Sequence, residues 1–394
     1  MESTDRLRIG CLNVWGLPEP FAEDVTPRMR AITRALRDSA LDLVVLQEVW
    51  TPGARKILRE GAREAGYVHQ YAAPSQPGGG LLLLSRRPFE APRFERFEFR
   101  GDLERIDRAE YLGGKGFLAA RLSTRAGPLW IVDTHLHARY RHDASRIDSG
   151  VRVAQLMQIV EFLHATPEPV VVAGDFNCEP GDPEYQVWTG LTGARDVTAG
   201  PRALPTICRS NHYKSHRSGP DKRIDFVFVS QGAATRVDAL DSGRWLDGRF
   251  RLGDEERPYS DHYGLSVELA VRPAAALAAS HAAARAPAVA HARDLLRVGR
   301  SSAHGRERSH AQSAGVWAGA SALALLASQD TRLGRRRFLK RTLLSLGGLA
   351  LAPAAGLTTV ARIDAPDQAR AFERALLRLE RLDRIGSVAE SLSA

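Results

Sequence analysis

The sequence predicts an α/β fold in which two packed, mixed β-sheets are flanked by helices. Short apolar runs of strand length recur between turn residues, too many for one small sheet. Amphipathic helical stripes lie among them without strict βαβ alternation. Two consecutive strands near Phe117–Thr134 then favour mixed sheets over a barrel of parallel strands. The 394 residues, 44% hydrophobic and 26% charged, suffice for a large core.

Each element follows from its pattern. Leu7, Ile9 and Cys11 alternate with polar neighbours, a half-buried strand that ends near Asn13. Within Pro27–Arg37, Met29, Ile32 and Leu36 recur at helical spacing. Leu43–Leu46 is wholly apolar, a buried strand that stops at Gln47–Glu48; Leu81–Leu84 is another, after the Gly78–Gly80 turn. Phe117–Leu122 and Leu129–Thr134 read as neighbouring strands joined at Gly127–Pro128. Val153, Leu156, Met157, Val160 and Leu163 share one helix face. Strands follow at Val170–Ala173, Ile224–Val229 and Leu265–Val271.

Charge divides the chain. Residues 271–394 hold 19 Lys and Arg against 9 Asp and Glu; of the totals of 55 and 46, that leaves 36 and 37 for residues 1–270. A near-neutral first part thus precedes a basic tail, which points to anionic lipid or nucleic acid as partner, or to a solubilising arm. Residues 272–310 are rich in Ala, Arg, His and Ser without an apolar period and read as a linker. Residues 311–361 carry two apolar stretches, Ala314–Ser328 and Leu343–Val360, around the basic run RLGRRRFLKR (Arg332–Arg341), a candidate membrane anchor. Residues 362–394 read as an amphipathic helix, with Phe372, Ala375, Leu376 and Leu379 on one side. The first apolar stretch is short for a span and the second contains Pro353. A two-span hairpin would also set the basic loop outside, against the positive-inside tendency. One span or an interfacial hairpin is therefore expected. The start, MESTDRLRIG, has no basic opening and no apolar run, so a secretory signal is not expected there. Cys11, Cys178 and Cys208 form neither a metal-type spacing nor a disulfide framework. The expectation is a membrane-associated protein with residues 1–271 as a cytoplasmic domain. The run from Arg335 to Gly356 resembles a twin-arginine export signal set far from an N-terminus, which leaves export open.

Several apolar strands end on acids, amides or imidazoles: LNVWG at Asn13, VVLQEVW at Glu48, VDTHLH at His135, AGDFN at Asp175 and Asn177, KRIDFVF at Asp225. YSDHYG, with Asp261 and His262, precedes the last strand. Each has an ordinary structural explanation. Glu48 could cap a following helix, Asp175 and Asn177 are turn formers, His135 could be a satisfied core histidine, and Asp225 could pair with Arg223. Together they are harder to dismiss, because a buried strand ending in a carboxylate is costly unless that group is solvated, paired or bound to metal. Oxygen donors with imidazoles and no thiolate set suit Mg²⁺ rather than Zn²⁺.

In this order the segments LNVWG, QEVW, THLH, GDFN, RIDFVF and SDHYG resemble the endonuclease/exonuclease/phosphatase superfamily. Within it, NVWGLP, DLVVLQEVW, GGGLLLLSRRP, GGKGFL with Lys115, and THLHARY followed by RVAQ are most similar to the neutral sphingomyelinases. The resemblance covers about residues 6–271. It implies a four-layer α/β sandwich and a Mg²⁺-dependent phosphodiesterase of phospholipase C type acting on sphingomyelin or a related phosphosphingolipid or lysophospholipid. It implies Glu48, with Asn13 and Asp261, at the metal; His262 as general base oriented by Asp225; Asp175 positioning the water; Asn177 and His135 on the phosphate oxygens; and Lys115 as the lysine of the lipid enzymes. A nuclease or an inositol-phosphate phosphatase of the same superfamily is the alternative, the latter served by HYKSHR (His212–Arg217) and Arg86–Arg87. The near-neutral charge of residues 1–270 argues against nucleic acid.

Overall fold

The computed structural model describes residues 4–74, 79–99, 101, 113–139, 145–200, 203–216, 219–274, 282–329 and 337–393. Residues 332–336 of the basic run, with the twin-arginine pair, lie outside these, as do Gly78, Tyr140, Arg217 and residues 275–281 of the expected linker. β1 (Asp5–Asn13) leads to α1 (Val25–Arg37), β2 (Leu43–Gln47) and α2 (Pro52–Glu64). β3 (His69–Ala72), β4 (Leu82–Ser85), β5 (Phe89–Arg96), β6 (Gly116–Thr124) and β7 (Gly127–His135) follow. Then come α3 (Ser145–His164), β8 (Val170–Asp175), α4 (Pro183–Thr192), β9 (Arg195–Asp196) and β10 (Asp225–Ser230). β11 (Thr235–Trp245), the hairpin β12 (Arg249–Leu252) and β13 (Glu255–Pro258), and β14 (Gly264–Pro273) complete the strands. Helices α5 (Ala282–Ser328), α6 (Arg337–Thr359) and α7 (Ala365–Ser393) end the chain, with a π-helical turn, Val360–Asp364, between the last two.

Two six-stranded sheets result, ordered β11-β14-β1-β2-β4-β3 and β5-β6-β7-β8-β10-β9. Each holds one parallel pair near its centre, β1 with β2 and β7 with β8. Residue alternation explains the layering. Leu7, Ile9, Leu43 and Val45 of the first sheet meet Leu118, Ala120, Ile131, Val171 and Val227 of the second. The intervening residues Val44 and Leu46 pack outward against Met29, Ile32 and Leu58 of α1 and α2. Val132, Val172, Phe226 and Phe228 pack outward against α3 and α4. The order is therefore helix, sheet, sheet, helix. Gly174 (φ 150°) lets β7 and β8 close up at their ends, because a Cβ there would stand 1.9 Å from the Thr134 carbonyl oxygen.

The reading of residues 272–310 as a linker is corrected. β14 runs to Pro273, and Ala282 starts a helix of 47 residues. Its Ala288, Val289, Ala292, Leu295 and Leu296 are buried in the same core as α3, α4 and α7. Ala-rich helices show little hydrophobic contrast, so the buried stripe is visible only against its partners. On α7, Phe372 is 2% exposed and its ring lies 5.0 Å from that of Phe99. Gly299 of α5 makes room for it: a Cβ there would stand 2.4 Å from the ring. Arg378 of α7 pairs with Glu98 and with Glu161 of α3. The tail is thus partly core as well as appendage. Phe372→Ala should cost the full chain about 3 kcal/mol, read from denaturant midpoints; a change confined to surface-substitution levels would show that α7 merely rests on the domain.

The far half of α5 and α6 behave differently. Val316, Trp317, Leu323, Leu326, Phe338, Leu346, Leu349 and Leu351 are exposed. The two helices contact each other, with Ser321 Oγ donating to the Gly347 carbonyl at 2.7 Å. Within Phe338–Ile385 an 18-residue window reaches a mean hydropathy of 1.6 while only 22% buried. By length and composition that helix can cross a membrane.

Candidate active site

The polar strand ends meet because of strand register. His135 of β7 pairs with Asp175 of β8, and Asp175 pairs with Asp225 of β10. In the other sheet Asn13 pairs with Gln47, one residue before Glu48. Asn13 bridges the two sheets: its Nδ2 donates to Glu48 Oε1 at 2.9 Å and to Asp175 Oδ2 at 3.0 Å. Its Oδ1 accepts from the Trp15 backbone N–H. Glu48 and Asn177 both sit in the left-handed region, φ 58° and 51°, a cost of order 1 kcal/mol each that marks backbone held by its surroundings.

Eight of the nine residues singled out from the sequence are joined in one cluster, with Asp261 beside it. His262 Nδ1 is 2.9 Å from Asp225 Oδ2, which leaves Nε2 directed toward Asp175, 4.0 Å from its Oδ2. His135 Nε2 lies 3.8 Å from Glu48 Oε1 and 3.6 Å from Asp175 Oδ2. Lys115 Nζ is 3.2 Å from that same imidazole nitrogen and donates to the Leu136 carbonyl at 2.8 Å. Asn177 Nδ2 donates to that carbonyl too, and the Asn177 N–H donates to Asp175 Oδ1 at 2.9 Å. Asp261 is adjacent but held elsewhere, its Oδ2 paired with Lys214.

The ordinary explanations largely go to other residues. Thr51, not Glu48, caps α2 by accepting from the Ala54 N–H. Arg223 pairs with Asp196 at 2.8 Å, leaving Asp225 to His262. The turn reading of Asp175 and Asn177 holds, through their local hydrogen bond, and His135 is a buried histidine with Lys115 Nζ 3.2 Å from its Nε2.

The donor set fits a divalent cation. Glu48, His135 and Asp175 offer ligand atoms within 4.8 Å of one another, and so do Asp175, Asp225 and His262. Glu48 Oε2 is buried with no hydrogen-bond partner among the described residues, a state that an ion would relieve. Asn13 and Asp261 would have to give up their present bonds to join it. Burial, then the charge of Asp261, raises the Glu48 carboxyl above its ordinary value. Burial, then Asp225, does the same to Asp175. Burial would lower the pKa of His262, but Asp225, Asp261 and Asp175 outweigh it and push the imidazole up to about 10. Asp261 goes the other way: burial would raise it, but Lys214 and His262 hold it at about 2.

Sequence reasoning did not reach the residues that brace the cluster. Arg28 is fully buried and donates to the carbonyls of Val14 at 2.6 Å, Trp15 at 2.8 Å and Glu23 at 2.9 Å, fixing the loop after β1. Ser260 Oγ donates to the Asn13 carbonyl at 2.6 Å. Thr206 Oγ1 accepts from the N–H groups of Ile224 and Asp225. All three act on backbone groups, which leave no pattern in the sequence.

Comparison with known proteins agrees with this architecture. The chain is 28% identical over 284 residues to sphingomyelin phosphodiesterase 2 of Homo sapiens, covering 68% of this chain and 65% of that one. It is 25% identical over 258 residues to inositol phosphosphingolipids phospholipase C of Saccharomyces cerevisiae, covering 59% and 53%. It thus spans less than two thirds of either relative's length. Among solved structures, beta toxin of Staphylococcus aureus aligns with a TM-score of 0.57 at 17% identity, covering 66% of this chain and 99% of that one. D. rerio TDP2 in complex with a single-strand DNA product aligns with a TM-score of 0.52 at 22% identity, covering 67% and 98%. At these identities the structures show a shared fold. Residues 10–262 match the endonuclease/exonuclease/phosphatase family, and the chain belongs to it.

Proposed function

We propose that the protein is a Mg²⁺-dependent phosphodiesterase of the phospholipase C type. Its substrate would be sphingomyelin or a related phosphosphingolipid or lysophospholipid, split into ceramide (or an acylglycerol) and a phosphorylated headgroup. The observation that carries this is the meeting of Glu48, Asp175 and His262 across two sheets through Asn13. The names of the two relatives, each a phosphosphingolipid hydrolase, support the substrate class.

In this reading a water sits between His262 Nε2 and Asp175. Asp175 orients it, His262 takes its proton, and Asp225 fixes the imidazole tautomer and favours the charged form. The water attacks phosphorus in line, so that a new P–O bond forms as the bond to the lipid oxygen opposite breaks, and that oxygen leaves as the alcohol, taking up a proton from solvent. His135, Asn177 and Lys115 donate to the phosphate oxygens as their charge grows. Mg²⁺, held by Glu48, would supply positive charge against the anionic diester and make the nearby imidazole easier to deprotonate. Full-length protein with Mg²⁺ should cleave labelled sphingomyelin or a lysophospholipid in preference to plasmid DNA and an inositol polyphosphate offered alongside; preference for either of the latter would replace this reading with a nuclease or a phosphomonoesterase.

The same reading places the exposed apolar surface of α6 on the substrate membrane. Replacing Leu346, Leu349 and Leu351 by serine together should weaken co-sedimentation with anionic vesicles by about tenfold or more. Turnover of a short-chain, water-soluble diester should be unaffected. Undiminished vesicle binding would remove α6 from the membrane contact.

A further inference from the structure

Lys214 is a cation at the site that the reaction above does not use. Its ammonium pairs with Asp261, and both side chains are buried, 8% and 3% exposed. A buried ion pair is costly unless its geometry is held, and the contacts that hold this one are visible. Lys214 ends a short turn, His212–Lys214. Asn211 Oδ1 accepts from the Tyr213 N–H at 3.0 Å, and the Lys214 N–H donates to the Asn211 carbonyl at 2.9 Å. Asn211 Nδ2 donates at 2.9 Å to the carbonyl of Ser260, the residue before Asp261. The two members of the pair are thus tied together through backbone as well as charge. Tyr213 anchors the turn from its other side. Its hydroxyl donates to Asp24 Oδ2 at 2.9 Å, and its ring lies 5.4 Å from that of Trp15. The Lys214 ammonium stands 6.0 Å from the Trp15 ring centre, a face that attracts a cation.

Asp261 stands apart from the two donor groups able to hold an ion, Glu48–His135–Asp175 and Asp175–Asp225–His262. Lys214 gives it the positive charge that an ion of its own would bring. Against the burial that would raise it, Lys214 and then His262 hold Asp261 at about 2. An ammonium has no lone pair and repels a dication, so an ion can reach Asp261 only if Lys214 leaves. The charges of the site run the same way. Four carboxylates, Glu48, Asp175, Asp225 and Asp261, stand with two ammonium groups, Lys115 and Lys214. Two negative charges are left, which one divalent ion neutralises. Without Lys214 three are left and Asp261 is open, which favours a second ion.

We propose that Lys214 is a built-in cation standing in for a second divalent ion at Asp261, so that the protein takes a single ion, at Glu48. The proposal rests on the metal-dependent reading above and concerns how many ions that site takes. Its test counts Mn²⁺, which suits the same oxygen donors as Mg²⁺, on the full-length, ion-stripped protein. Loss of the free-ion signal in electron paramagnetic resonance gives the number bound. The wild type should bind one ion and Lys214→Ala two. Adding Asp261→Asn to Lys214→Ala should return the count to one, because the second ion then lacks its carboxylate. Lys214→Gln keeps a donor for Asp261 and removes only the charge, and it should also bind two where the alanine chain does not fold. Thermal unfolding gives an independent reading. Without ions Lys214→Ala should melt below the wild type, since Asp261 is left buried without its partner. Mg²⁺ should then raise its Tm by more than it raises that of the wild type. A lysine with a merely structural role predicts the same loss with an equal Mg²⁺ increment, and that outcome would overturn the proposal. So would two ions on the wild type, or one on each Lys214 variant; these results leave the phosphodiesterase reading standing. No ion on any of the chains would overturn the metal-dependent reading and this proposal together.

Discussion

Replacing His262 with alanine lowers kcat on the lipid diester by about 10²–10⁴-fold, the usual contribution of a positioned general base. The size follows from how completely the imidazole is placed. Its Nδ1 is fixed by Asp225 at 2.9 Å, so Nε2 is committed to the space beside Asp175. Removing it also leaves Asp225 buried without its partner, which costs stability. Lost turnover alone would therefore be ambiguous, and the informative companion is Asp225→Asn. It keeps the hydrogen bond but removes the first of the charges that hold the proton on His262. The imidazole then loses its proton at lower pH, so the acidic limb of the pH–rate profile moves down. A structural role predicts no such shift. A His262→Ala protein that turns over within threefold of the wild type, or an Asp225→Asn profile unmoved from the wild type's, would remove His262 from the base position.

The contrast between legible and hidden features is physical. Asn13, Glu48, His135, Asp175 and Asp225 stand out in the sequence because an apolar strand that stops on a polar group is energetically odd. That oddness is local, so one chain suffices to see it. Their convergence is not local. It depends on the parallel pairing of β7 with β8 and on Asn13 reaching across to the other sheet, and only resemblance to a known family could anticipate it. The near half of α5 was missed for the opposite reason. Ala288, Ala292 and Leu296 carry little signal among so many alanines, and their burial exists only once α3, α4 and α7 are in place. Lys214 stands out as part of the basic run HYKSHR, but its partner does not. Its pairing with Asp261 turns an expected metal ligand into half of an ion pair, and nothing near SDHYG in the sequence indicates a lysine about fifty positions earlier.

Glu48→Gln should raise the Mg²⁺ concentration needed for half-maximal activity by about tenfold or more while leaving the ion-free protein at least as stable. The two halves of this expectation come from one feature. Glu48 is pinned by a left-handed backbone and by Asn13, yet its Oε2 is buried without a partner among the described residues. Burial and the neighbouring Asp261 charge penalise its ionised form. A neutral amide of the same shape escapes that penalty, so the apo fold gains or stays level. The same amide attracts a hard dication far less, so the gain disappears when Mg²⁺ is present. Thermal unfolding with and without Mg²⁺ separates the effects. An ion at a hundred times its Kd stabilises the wild type by about 2.7 kcal/mol, and a tenfold loss of affinity cuts this to about 1.4. A merely structural glutamate predicts the reverse pattern, with a weaker apo protein and an unchanged Mg²⁺ increment. That outcome would move the ion away from Glu48 and leave its unpaired oxygen without an explanation.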